Sequence, residues 1–70
     1  MKTTQVEGQT VTIGDWVGFK SDIEQGGQII DIRRGPCGTE LVLKNENGFE
    51  GDYIGGTTLT VELARDCWID

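Results

Sequence analysis

The chain has 70 residues, with twelve acids against six bases, no histidine and a formal charge of −6. A chain this long supports one small domain, which buries only about 60% of the surface its unfolded form exposes. The acidity argues against ordinary binding to phosphate backbones, where Lys and Arg displace counterions, and the missing histidine removes the usual activator of a nucleophile and a common zinc ligand.

Eleven glycines against one proline favour tight turns between short strands. Residues 1–9 read as a flexible or edge-strand N-terminus to a single domain spanning 1–70. From there almost every segment alternates with period two, the mark of half-buried strands. In "QTVTIG" Val11 and Ile13 share a face, and "IGD" turns the chain into "WVGFK". There Val17 and Phe19 point one way and Trp16, Gly18 and Lys20 the other. "SDIEQGG", residues 21–27, reads as a polar loop ending in a glycine pair. In "GQIIDIRR" Ile30 and Ile32 face one side, with Ile29, Asp31 and Arg33 opposite.

"RGPCG", residues 34–38, holds the only proline and reads as a turn. In "TELVLKN" Leu41 and Leu43 oppose Glu40, Val42 and Lys44, and the Asn-Gly step of "ENG", 46–48, suits positive φ angles. In "TTLTVEL" Leu59, Val61 and Leu63 line one face. "LARD", 63–66, reads as one helical or 3-10 turn before a short last strand at "CWI". The expected fold is all-β, a small, strongly bent, five-stranded SH3-like barrel with that single turn before the last strand. Its expected core is Ile13, Val17, Phe19, Ile30, Ile32, Leu41, Leu43, Leu59, Val61 and Ile69.

"VTIGDWVGFKSD", "GGQIIDI", "LVLKN" and "VELARDCWI" together resemble the KOW and Tudor-like branch of SH3-like barrels over about residues 10–70. That family pattern is Gly-Asp-x-Val entering the first barrel strand, then a Gly-containing approach to x-I-x-x-I, an apolar strand, and a short strand after a turn. The resemblance implies RNA or protein binding in the transcription and translation machinery. "FKSDIEQGGQI" and "NENGFEGDYI" also resemble small proteins encoded by tailed bacteriophages, a likeness that brings no activity with it.

Catalytic chemistry finds little to work with. The lone serine, Ser21, has no histidine to activate it, and a barrel of this size has its interior filled by side chains. Cys37, beside Arg33 and Arg34, reads as a turn cysteine, and Cys67 as a small buried hydrophobe. With no apolar run to serve as signal peptide or membrane span, reduced thiols in a soluble cytoplasmic chain (host cytoplasm, if phage-encoded) are expected; a Cys37–Cys67 bridge is the alternative in an oxidising compartment. Residues 45–52 carry Asn and acidic residues at calcium-loop-like spacing but lack the leading Asp and the bidentate Glu. No catalytic residue, metal or cofactor is therefore expected.

Surface recognition remains. The expected protein-binding residues are the outward aromatics Trp16, Phe49 and Tyr53, with the acids Asp22, Glu24, Glu50 and Asp52 on two loops that lie side by side in such barrels. Three readings follow: a non-enzymatic protein-binding module, such as a bacteriophage accessory protein engaging a host or phage protein; an acidic nucleic-acid mimic that inhibits a nucleic-acid-binding enzyme or nucleoid protein; and a KOW-like RNA- or DNA-binding domain. The third needs Lys20, Arg33, Arg34 and Lys44 clustered on one face beside Trp16.

Overall fold

Seven short strands and one 3-10 turn account for the regular structure in the computed structural model, which describes residues 1–70. The all-β reading holds. β1 (Thr3–Val6) and β2 (Gln9–Thr12) form a two-stranded hairpin closed by Glu7 and Gly8, both at positive φ. Two such residues twist a tight turn in the same sense as the strands it joins. The N-terminal residues are thus a strand, and the hairpin sends Val6 and Val11 into the core.

The other strands form one antiparallel sheet in the order β6-β5-β4-β3-β7. β3 (Trp16–Ser21) runs straight into β4 (Ile23–Gly35), Ser21 pairing with Ile23 around the single residue Asp22 at φ 70°. Residues 23–27 are therefore strand, where the sequence suggested a loop. Gly26 and Gly27, expected to end that loop, sit in the ladder and serve for close approach to the rings of Trp16 and Phe49.

β4 carries a β-bulge: Ile29 pairs with Leu43 and Asp31 with Val42, leaving Ile30 as the extra residue. A bulge resets the inward–outward alternation. Ile29 and Ile32 consequently both face the core, and Ile30 is exposed, contrary to the strict period-two reading. Gly35 and Gly38 pair across the Pro36–Cys37 turn into β5 (Gly38–Lys44), whose Leu41 and Leu43 are fully buried as expected.

β6 (Leu59–Leu63) has the opposite parity from that expected. Its register sets Glu62 against Leu41 and Thr60 against Leu43, so Thr60 and Glu62 take the core side. Leu59 and Val61 are exposed on the outer side, opposite Lys44 and Val42. Two further expected core residues also lie at the surface. Ile13 leaves β2 in a turn closed by the Asp15 carboxylate, which accepts from the Thr12 amide at 2.9 Å, and Ile69 lies on the two-residue edge strand β7 (Trp68–Ile69). Val6, Val11, Ile29, Phe49, Ala64 and Cys67 complete the core in their place.

The 3-10 turn stands where expected, at Ala64–Asp66, and links opposite edges of the sheet. A flat five-stranded sheet would hold those edges about 19 Å apart, at roughly 4.8 Å per strand spacing. Five residue steps join Leu63 to Trp68, three of them in the tighter turn, and they reach only about 13 Å. The sheet must curl strongly, which leaves its convex outer face open.

Candidate functional site

Two glycines without side chains make a gap on that outer face. Gly18 of β3 and Gly26 of β4 are paired directly, and both belong to the outward set of their strands. Trp68 of β7 pairs with Gly18, while Trp16 pairs with Gln28 and leans diagonally onto Gly26. A Cβ on Gly18 would stand 2.7 Å from Cε2 of Trp68, and one on Gly26 would stand 2.8 Å from Cε2 of Trp16. Neither position tolerates a side chain while the indoles stay where they are. Trp16 nevertheless remains 49% exposed, and Trp68 is half-buried.

Between the two indoles lies a shallow open depression of about 230 Å³, lined by Trp16, Trp68, Gly26, Gln25, Glu24 and Asp70. On the other side of Trp16 a second open depression of about 290 Å³ is lined by Gln28, Lys44, Asn45, Glu46 and Asn47. Trp16 is the ridge between them. Glu24 and Asp70 form no ion pair; the chain's two ion pairs are Arg33–Glu40 at 2.9 Å and Lys44–Glu46 at 3.8 Å.

A second group of expected residues gathers at the β3–β4 hairpin tip. Gln25 clamps the 45–58 loop, donating through Nε2 to the Glu50 carbonyl (3.0 Å) and accepting the Glu50 amide at Oε1 (2.9 Å). Asp22 Oδ2 accepts from the Asp52 amide at 3.2 Å. Asp22, Glu50 and Asp52 are thus brought to one end of the sheet, with Glu24 two residues from the tip. Tyr53, 85% exposed, stands out on the same loop.

Phe49 does not belong to this surface. Its ring is buried, packs edge-on against Phe19 with centroids 5.5 Å apart, and lies over Gly27, where a Cβ would come within 3.3 Å of it. The loop uses Phe49 as an anchor, and the expectation of an exposed binding aromatic there is corrected. The four bases do not cluster either. Arg33 and Lys44 share the outer face, but Arg33 pairs with Glu40 of β5 and Lys44 lies four residues further along that strand, about 13 Å away at roughly 3.3 Å per residue, and each has a carboxylate partner. Lys20 faces Glu24 across the β3–β4 ladder, and Arg34 lies out near the Pro36–Cys37 turn.

The cysteines lie apart in environment as well as in sequence. Cys37 is exposed on its hairpin turn, with its carbonyl accepting from Arg65 at 2.7 Å, while Cys67 is buried and donates weakly to the Leu63 carbonyl at 3.4 Å. Burial, reinforced by Glu62 and Asp66, pushes the Cys67 thiol up to about 12, which makes it a poor nucleophile. Burial also raises Glu62 above the ordinary carboxylate value; the Thr60 hydroxyl bond at 2.8 Å pulls it back, and Asp66 adds to the rise. Of the calcium-like spacing, Asn45 uses its own Oδ1 to accept the Asn47 amide and close the local turn.

Trp16 was expected at this surface, whereas Trp68 and Asp70 were not. The missed signal was a glycine at an outward strand position on each of two neighbouring strands, which marks a close approach. Among known protein families, curated proteins and solved structures, nothing matches this chain.

Proposed function

We propose that this chain is a non-enzymatic protein-binding module. In this reading it is an SH3-like barrel of the KOW or Tudor-like type, serving as a bacteriophage accessory protein that engages a host or phage protein. The supporting observation is Trp16, a half-exposed indole held over Gly26 as the ridge between two open depressions. A large aromatic kept partly in water costs free energy that burial against a partner would recover, and tryptophan is over-represented among residues that dominate interface energetics. The open depressions suit a peptide or protein surface better than an enclosed small molecule.

Affinity capture from bacterial lysate, with the wild-type chain and Trp16→Ala as parallel baits, tests the reading. A protein retained by the first and lost by the second is expected, with both baits showing the same circular dichroism. Identical captures from the two baits would refute it.

The acidic mimic draws support from the gathering of Asp22, Glu50 and Asp52 at the hairpin tip beside Glu24. Substitution separates the two readings. Binding carried by the acids at the tip is lost with Glu50→Gln/Asp52→Asn and kept with Trp16→Ala, whereas binding carried by Trp16 shows the opposite pattern.

A further inference from the structure

The depression between the indoles has a chemistry of its own. Trp16 and Trp68 present ring surface whose quadrupole attracts cations, and tryptophan is the best side chain for this. Two carboxylates, Glu24 and Asp70, line the same depression, and neither is neutralised by an ion pair within the chain. The nearest base on this face, Lys20, lies across the ladder from Glu24 without forming a pair. Aromatic surface and unpaired negative charge therefore meet in one place, on a chain of net charge −6.

The size and openness of the depression also discriminate. At about 230 Å³ it falls below the usual range for drug-sized ligands, about 300–1,000 Å³, and matches the end of one side chain. A planar guanidinium suits it better than an ammonium, because the fork can lie on an indole and still donate in-plane to a carboxylate. Beyond Trp16 the surface continues into the second depression, where the Asn47 side chain is open to a peptide backbone, while Gln28 donates to the Gly14 carbonyl and Asn45 closes its own turn. From β7 to β5 the crossing covers three strand spacings, about 14 Å, the reach of four to five extended residues.

We propose that the depression between Trp16 and Trp68 seats an arginine side chain of a partner protein, presented on an extended segment that continues past Trp16 toward Gln28 and Asn45. The proposal rests on the protein-binding reading and names the partner's chemistry. Trp16 and Trp68 stack on the guanidinium, Glu24 and Asp70 accept from it, and Lys20 competes with it for Glu24.

The test titrates the ¹⁵N-labelled full chain with the peptide acetyl-Gly-Arg-Gly-Arg-Gly-amide and with its Lys and Gln counterparts, following the indole N–H resonances. Saturable shifts of both indoles are expected with the Arg peptide, weaker shifts with Lys and none with Gln. The exposed double variant Glu24→Gln/Asp70→Asn should weaken Arg binding about tenfold, and Lys20→Gln should strengthen it about twofold, with the fold monitored by the amide spectrum. Absence of indole shifts overturns the proposal. Equal responses to Arg and Lys confined to residues 50–53 overturn it too, since they indicate charge attraction at the hairpin tip. A captured partner lost with Trp16→Ala but kept with Glu24→Gln/Asp70→Asn would overturn the arginine seat and leave the protein-binding module standing. Arg-peptide binding with no Trp16-dependent partner would do the reverse.

Discussion

Replacing Gly26 by alanine tests the architecture on which the site depends. The new Cβ would stand 2.8 Å from Cε2 of Trp16 and closer still to Nε1, a separation real Cβ atoms essentially never show, so the indole must leave its seat. Trp16 is 49% exposed, so the sheet covers about half of a surface of about 250 Å². At about 25 cal/mol per Å², losing that cover costs at most about 3 kcal/mol, and about 2 kcal/mol once residual compaction of the unfolded chain is allowed for. Alanine returns about 0.5–1 kcal/mol by restricting the unfolded backbone. The net expectation is a loss of about 1–1.5 kcal/mol, or a fall in Tm of about 4–12 °C for a domain this small. Urea denaturation followed by fluorescence, in a Trp68→Phe background that leaves Trp16 as the sole reporter, measures both effects. The folded-state emission of Trp16 should shift to the red as the ring swings into water. Unchanged stability with unchanged emission would show that Trp16 does not rest on Gly26, and the site described above would lose its foundation.

Three other expectations can be checked on the same protein. Gln25→Ala removes both bonds to Glu50 and should cost about 1–3 kcal/mol, with hydrogen exchange at the Glu50 amide accelerating more than exchange in the β4–β5 ladder. Because burial raises Glu62 in the folded state, the native chain holds its proton more tightly than the unfolded chain does. Glu62 therefore contributes stability at acid pH that is lost as pH rises from the ordinary carboxylate value through its raised folded value, and Glu62→Gln should match the wild type in acid and exceed it in urea midpoint at neutral pH. With Cys37 exposed and Cys67 buried with its thiol pushed up to about 12, a thiol reagent at neutral pH should label one cysteine rapidly in the native chain and both after unfolding.

The sequence is enough to show that this chain folds as short strands, because period-two alternation and glycine-rich turns are local properties of neighbouring residues. Val17, Phe19, Leu41 and Leu43 could be assigned to the core on that basis, as could the turn at Pro36–Cys37 and the single 3-10 turn at Ala64–Asp66. It also identified Trp16 as an outward residue, since its parity with Val17 and Phe19 holds within one unbroken strand. Tertiary structure decided what depends on pairing between distant segments. The bulge in β4 inverted Ile29 and Ile30, and the register of β6 against β5 turned Leu59 and Val61 outward. Phe49 shows the same limit: nothing in the glycine-rich loop marks that ring as core, because its place is set by Phe19, Gly27 and the Gln25 clamp. The candidate site falls on both sides of this division. Each of its tryptophans and glycines is visible in the chain, but β7 had to cross to the β3 edge before Trp68 could stand beside Trp16. A two-residue strand carries too little pattern to announce where it will dock, and the short link from β6 permits that docking only when the whole sheet curls.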